Sequence, residues 1–224
     1  MRMVRSLATA LVGLALLPAL VVAQQSGASS SKPFQNTWFW GLKGGAMAFD
    51  PALGSVTKPT IGGEMLIVHD RVGLYASIDQ SFFDNELAGV FDPSAPGSVR
   101  AVRVSDWRRY NVGLYAFPVT WGSVRPYAGI GYALNVLQQA SPEGTFSSAA
   151  SQDSVFSLVD RLSSRGSVAF TGGAQMQWGK LAIFGQAVAM PTRSNFLFTG
   201  SSNTFVIETG FRYAITNAIE KFTK

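Results

Sequence analysis

Cysteine is absent from the 224 residues. Disulfides, thiolate metal sites and lipid attachment through a cysteine are excluded with it. Charge is scarce as well: Asp, Glu, Lys and Arg make up 14% of the chain, against about 25% in soluble domains. No block of Lys and Arg stands out, so the basic footprint of a nucleic-acid binder is missing. Beyond the first residues no apolar run reaches the ~18 residues of a membrane helix, and a mature chain that crosses a membrane can do so only as a closed β-barrel. What the sequence does have is glycine, 23 residues, and aromatic side chains, 12%. Sparse charge with many aromatics suits a surface that faces lipid.

The apolar run near the start reads as a secretory signal. Arg2 and Arg5 precede Leu7 to Leu20, and Val21-Val22-Ala23 offers small residues to a signal peptidase, so cleavage is expected between Ala23 and Gln24. At about 14 residues the run is too short to span a bilayer as a helix. Residues 24–36 then form a short polar segment, 37–215 the barrel domain and 216–224 a tail or strand extension. Cleavage removes two of the positive charges that make up the formal net charge of +5. The remaining ~200 residues make one domain of ordinary size.

Along the mature chain the dominant period is two. Eight segments follow it: Thr37 to Phe49, Thr60 to His69, Val72 to Phe83, Val104 to Phe117, Val124 to Leu137, Ser167 to Trp178, Leu181 to Met190 and Thr204 to Ile215. Tight links at 70–71, 119–123 and 179–180 alternate with long ones at 50–59, 84–103, 138–166 and 191–203. That alternation predicts an all-β, eight-stranded, antiparallel up-and-down transmembrane barrel, with short turns and both termini in the periplasm and long loops outside. The longest loop, about 29 residues, would be unusual in a compact soluble domain. Within it Val155, Leu158, Val159 and Leu162 lie at i, i+3, i+4 and i+7, predicting a short amphipathic helix that packs on its own protein.

Alternation separates two faces. In the last segment Phe205, Ile207, Phe211, Tyr213 and Ile215 oppose Val206, Glu208, Gly210, Arg212 and Ala214, and the first set is expected to face lipid. Trp38, Trp40, Trp121, Trp178, Phe211 and Tyr213 cluster near one set of strand ends, as a periplasmic aromatic girdle would. Phe82, Tyr132 and Phe205 lie toward the other.

Thr60-Ile61-Gly62-Gly63-Glu64, Pro126-Tyr127-Ala128-Gly129-Ile130-Gly131 and Gly210-Phe211-Arg212-Tyr213 resemble segments of the small outer-membrane barrels related to the membrane domain of OmpA and to OmpX. The likeness runs from Thr37 to Ile215 and implies residence in the bacterial outer membrane. Outer-membrane lipid, lipopolysaccharide and, during biogenesis, the barrel-assembly machinery are the implied partners, together with an envelope or cell-surface protein. That group usually ends on an aromatic residue. Here the chain continues to Lys224, so either Phe222 or the Tyr213/Ile215 pair takes that role.

The same parity turns Lys43, Glu64, Asp79, Arg109, Arg125, Glu208 and Arg212 into the lumen. Strand adjacency predicts Lys43 between Glu64 and Glu208, with Arg109 beside Asp79. An eight-stranded barrel is just wide enough to be filled by its side chains, and charges buried there must be paired. The expected product is a salt-bridged plug and a structural or interaction role through the outer loops. A narrow channel or OmpW-like carrier for small solutes is the alternative.

No catalytic, cofactor-binding or metal-binding set emerges. Enzymes among eight-stranded barrels rely on histidine and serine near the outer leaflet, whereas His69 falls at a predicted periplasmic turn beside Asp70-Arg71, with no serine in that turn. Gly41 to Gly45, Gly62-Gly63 and Gly172-Gly173 lack the helix and the lysine that follow a phosphate loop and are read as sites of curvature and close packing.

Overall fold

A computed structural model describes residues 37–49, 56–191, 196–197 and 203–215. The expected signal peptide and cleavage point, the polar segment 24–36 and the tail with Phe222 lie outside the described residues.

The strands are β1 (Thr37–Phe49), β2 (Val56–His69), β3 (Val72–Phe91), β4 (Val99–Ala116), β5 (Val124–Gln138), the two-residue β6 (Ser141–Pro142), β7 (Ser164–Trp178), β8 (Leu181–Met190) and β9 (Thr204–Ile215), with helix α1 (Ala149–Leu162) between β6 and β7. They pair antiparallel in the order β3-β2-β1-β9-β8-β7-β5-β4, and a further β3–β4 pairing closes the circle. β6 is a strip on the outer part of β4, where Pro142 meets Val102. Eight strands therefore form a closed antiparallel barrel. Its tight links need backbone that bends left-handed: Asp70 has φ 52° and Gly179 φ 57°, Gly having no Cβ to clash and Asp being among the residues that tolerate this region.

Period two is what the closed sheet converts into an inside and an outside. Each of the eight wall strands presents an exposed apolar side chain: Leu42, Ile61, Ile78, Val112, Ile130, Phe170, Ile183 and Ile207 from β1 to β9 in turn. An unbroken apolar ring of this kind is stable only against hydrocarbon. Among the described residues no helix is long and apolar enough to cross a membrane.

The interior is stratified. Toward the long-loop end lies an apolar cluster that includes Met47, Phe49, Phe83, Trp107, Leu137, Met190 and Val206. Toward the short-turn end lies a second, with Phe39, Leu66, Val68, Phe117 and three stacked tyrosines, Tyr75, Tyr115 and Tyr127, whose ring centroids are 4.5 and 5.2 Å apart. Charged side chains occupy the layer between. Most of the charged residues expected in the lumen are thus gathered in a middle layer, with apolar packing on both sides of it.

The hairpin of β3 and β4 also exceeds its expected length. The predicted loop 84–103 is largely strand, with pairing that resumes after a register shift between Phe82 and Glu86. One irregularity reverses the facing of every later residue, so a single period cannot be followed through it. The wall is consequently uneven: β3 has 20 residues and β4 18, whereas β8 has 10 and β9 12.

Above the tall side a cap is assembled. α1 begins at Ser148, whose hydroxyl accepts the Ser151 amide at 3.1 Å. Its Val155 and Val159 are buried in the outer apolar cluster, with Leu158 and Leu162 partly buried beside them, which is the stripe that the spacing predicts. Arg100 ties the strap before the helix to the hairpin. Its Nε donates to Asp92 at 2.5 Å, Nη1 and Nη2 donate to the carbonyls of Glu143 and Thr145 at 2.7 and 3.2 Å, and its guanidinium lies 4.0 Å from the Phe146 ring centre. Asp92 also accepts the Ser94 hydroxyl and amide at 2.7 and 2.9 Å. The Ser94 hydroxyl, then the Arg100 guanidinium, hold the Asp92 carboxyl below the usual carboxylate range.

Two outcomes follow. Val112→Arg places a charge in the middle of the apolar ring and should cost about 2–4 kcal/mol in urea unfolding from lipid vesicles, against less than ~0.5 kcal/mol if that surface faced water. Because Asp92 titrates lower folded than unfolded, its contribution is complete above the unfolded value of about 4 and disappears as pH falls through the lower folded value. Amide exchange at Ser94 should therefore stay slow at neutral pH and lose its protection only in strong acid. Equal exchange across that range would break the Asp92–Ser94 assignment.

Candidate functional site

The layer between the two apolar clusters is where the sequence concentrates its buried chemistry. Lys43 on β1, Glu64 on β2, Asp79 on β3, Arg109 on β4 and Glu208 and Arg212 on β9 are each no more than 4% exposed. Three cations thus face three carboxylates and the layer is neutral. Bulky inward neighbours would leave no space for six such side chains, and glycine provides it. In register, Lys43 stands level with Gly62 and Gly210, and Gly41 stands between Glu64 and Arg212. A Cβ at Gly62 would come within 2.1 Å of Asp79 Oδ1 and one at Gly41 within 3.0 Å of Glu64 Oε1.

Lys43 Nζ lies 2.8 Å from Asp79 Oδ1 and 3.0 Å from Glu208 Oε2, and also donates to the Tyr75 hydroxyl at 2.9 Å. Arg109 grips the same two acids: its Nε and Nη2 donate to Asp79 Oδ2 at 2.9 and 2.8 Å, and Nη2 donates to Glu208 as well. The four groups form a ring. Glu64 is held separately by Arg212 Nε and by the Tyr75 hydroxyl, which donates to it at 3.0 Å. Tyr75 joins the two sets, accepting from Lys43 and donating to Glu64. Gln186 donates to Glu208 at 2.7 Å and accepts from Tyr127, and Arg212 Nη1 donates to Gln175 at 2.7 Å while its guanidinium lies 3.9 Å from the Phe184 ring centre.

Two expectations need correction. Lys43 has Glu208 as a partner, but its second acid is Asp79; it reaches there over the bare Gly62, and Glu64 goes to Arg212. Arg125 is not in the layer. It shares the inward parity, but it is the second residue of β5 and stands half-buried at the short-turn end, beyond Tyr127. There it lines a pocket of about 260 Å³ with Asp70, Arg71, Phe117, Pro118, Val119 and Thr120. Charge alone does not single out the neutral linkers Tyr75, Gln175, Gln186 and Tyr127. Their inward parity was the available signal, and buried polar side chains beside charges are the groups that satisfy remaining donors and acceptors.

The aromatic residues form a row rather than a scatter. On the outer face Trp178 pairs with Leu181, Leu181 with Tyr213, and Tyr213 with Trp40, all at the short-turn end, with Phe211 opposite Leu42 one step inward. Trp38 is half-buried on the same side, and Trp121 closes the short turn through mutual backbone bonds with Val124 at 2.8 and 3.0 Å. His69 is exposed on its turn, 3.7 Å from Asp70. Among the described residues no three His, Asp or Glu side chains are grouped so as to hold a metal ion.

Chemically, the layer is a set of mutually paired ions, in which Arg109 Nη1 and Arg212 Nη2 are buried without a hydrogen-bond partner among the described residues. Lys43→Met should lower stability by about 3–5 kcal/mol by leaving Asp79 and Glu208 to share Arg109, and combining it with Glu208→Gln should recover a substantial part of that loss. Additive effects in this cycle would disprove the Lys43–Glu208 pairing.

No family model matches the chain, and no curated protein matches it by sequence. Among solved structures it is similar to the crystal structure of Neisserial surface protein A (NspA), with 9% identity, a TM-score of 0.51, and 79% of this chain and 96% of that one covered. It also aligns with Ail, the attachment invasion locus protein of Yersinia pestis solved with the heparin analogue sucrose octasulfate, at 10% identity and a TM-score of 0.43, over 81% of this chain and 100% of that one. What the chain shares with NspA is its fold, the closed barrel.

Proposed function

We propose that this protein is an integral barrel of the bacterial outer membrane whose lumen is sealed and whose role is exercised by the structure raised at its long-loop end. The observation that carries this reading is the contact of Arg109 with Glu208. In the circular strand order β4 and β9 stand four places apart, on opposite walls, so this pair crosses the full width of the lumen. Apolar clusters lie on both sides of it. An ion entering would have to shed its water in apolar surroundings and then part matched charges, and both steps are costly.

The apolar ring on the outer face supports insertion in lipid, and the Trp40–Tyr213–Trp178 row supports an interface at the short-turn end. In this reading the short turns face the periplasm. Lipid and lipopolysaccharide surround the wall, the barrel-assembly machinery inserts it, and an envelope or cell-surface protein is the partner of the raised hairpin and cap. Neither catalysis nor a cofactor is part of this reading.

Conductance in planar bilayers tests it. The refolded protein should give no discrete openings under conditions in which a general porin conducts. Reproducible single-channel steps from the intact protein would establish the narrow-channel alternative instead.

A further inference from the structure

Transmembrane barrels ordinarily have polar interiors, yet the half of this lumen above the charge layer is lined by Met47, Phe49, Phe83, Trp107, Met190 and Val206. Two kinds of residue fill it. The lining comes from the wall strands. The filling comes from the cap: Val155 and Val159 of α1, with Phe196 and Leu197 from the chain between β8 and β9. Phe196 stands edge-on to Trp107 with ring centres 5.0 Å apart, and the Leu197 amide donates to the Leu162 carbonyl at 3.1 Å, so the two parts of the filling are joined to one another.

Attachment of the filling is asymmetric. The strap before α1 is fixed by Arg100 and by the β6 pairing, and the helix runs directly into β7 through Ser163, whose carbonyl accepts the Leu137 amide at 2.8 Å. Between these anchors α1 is held mainly by its apolar stripe. Its polar tie to the tall hairpin is an exposed contact between the hydroxyls of Ser94 and Ser151, 3.1 Å apart. Such a segment can lift by giving up its apolar packing, the Ser94–Ser151 contact and the Leu197–Leu162 hydrogen bond, none of which belongs to the wall. The wall below it stays closed, because β1 to β9 pair continuously around the circle.

We infer that α1 is a lid over an apolar binding compartment in the outer half of the lumen, and that the compartment takes an uncharged, apolar small molecule in place of the cap's own side chains. The class follows from the walls: they offer mainly apolar and aromatic surface, with the Trp107 indole N–H already donated to Asn135 at 3.1 Å, and the charge layer beneath is neutral in sum, so it gives no net attraction to an ion of either sign. This goes beyond the sealed lumen, since the floor stays shut while the compartment opens toward the long-loop end. Discrete conductance would therefore refute the sealed floor and leave the lid standing.

The absence of cysteine makes a clean test available. Ser94→Cys with Ser151→Cys puts two thiols where hydroxyls already touch, a separation compatible with the ~3.5–4.5 Å Cβ spacing of a disulfide, and no other thiol competes. In a background with Trp38, Trp40, Trp121 and Trp178 changed to Phe, Trp107 is the only tryptophan left and is excited selectively over tyrosine at the red edge of the absorption band. Folding of each form is checked by heat-modifiable gel mobility. Bromooctane, a heavy-atom quencher, is titrated into the micellar protein with the disulfide reduced and then oxidised. The expected result is saturable quenching of Trp107 in the reduced form, with apparent affinity about tenfold weaker once the lid is locked, as reduced access to the competent state requires. Phe196→Ala, which removes the ring standing on Trp107, should strengthen binding in the reduced form. Equal quenching in the two redox states, or none in either, overturns the proposal.

Discussion

Arg109 and Glu208 meet across the full width of the barrel, and the rest of the interior is arranged around that meeting. Ions placed in so enclosed a volume have no water to return to, so each must find its counter-charge in the wall opposite or beside it. Asp79 and Lys43 complete the ring, Tyr75 links it to the Glu64–Arg212 pair, and Gln186 and Gln175 take up further hydrogen bonds. The glycines at 41, 62 and 210 are the other half of this arrangement. They remove side chains at the levels where long ones must pass.

The same layer divides the molecule into regions with different physical character. Below it, stacked tyrosines and Phe39 close the short-turn end with the kind of packing found in a soluble core. Above it, the lining is equally apolar but is completed by loop residues and by a helix, which are not part of the hydrogen-bonded wall. Stability is therefore graded along the barrel axis. The sheet and charge layer are bound into one cooperative unit, whereas the cap depends on two valines, their partly buried neighbours and the latch at Arg100.

The barrel was legible because its governing signal, period two, is local, and nearly every strand states it within its own residues. Glu208 and Arg212 could be placed inside by counting from Phe205 alone. The pairing of Lys43 was not legible in the same way. Adjacency on a flattened sheet puts Glu64 next to it, but the lumen is a volume, and the side chain goes where Gly62 leaves an opening. The outer hairpin was obscured by one register shift near Phe82, after which Val90 and Val102 face inward on a parity that the earlier residues do not predict. Asp92 and Arg100 therefore passed as loop residues, though they are the buried pair that organises the cap.

β9 carries both Glu208 and Arg212, and it is the last of the wall strands among the described residues. Glu64, made earlier, has to wait for it to obtain its counter-ion, and until then Lys43 and Arg109 share the single carboxylate of Asp79. A sheet lacking that strand would hold uncompensated ions as well as two raw edges, and lipid tolerates neither. Sealing the circle and completing its ion pairs are thus one event.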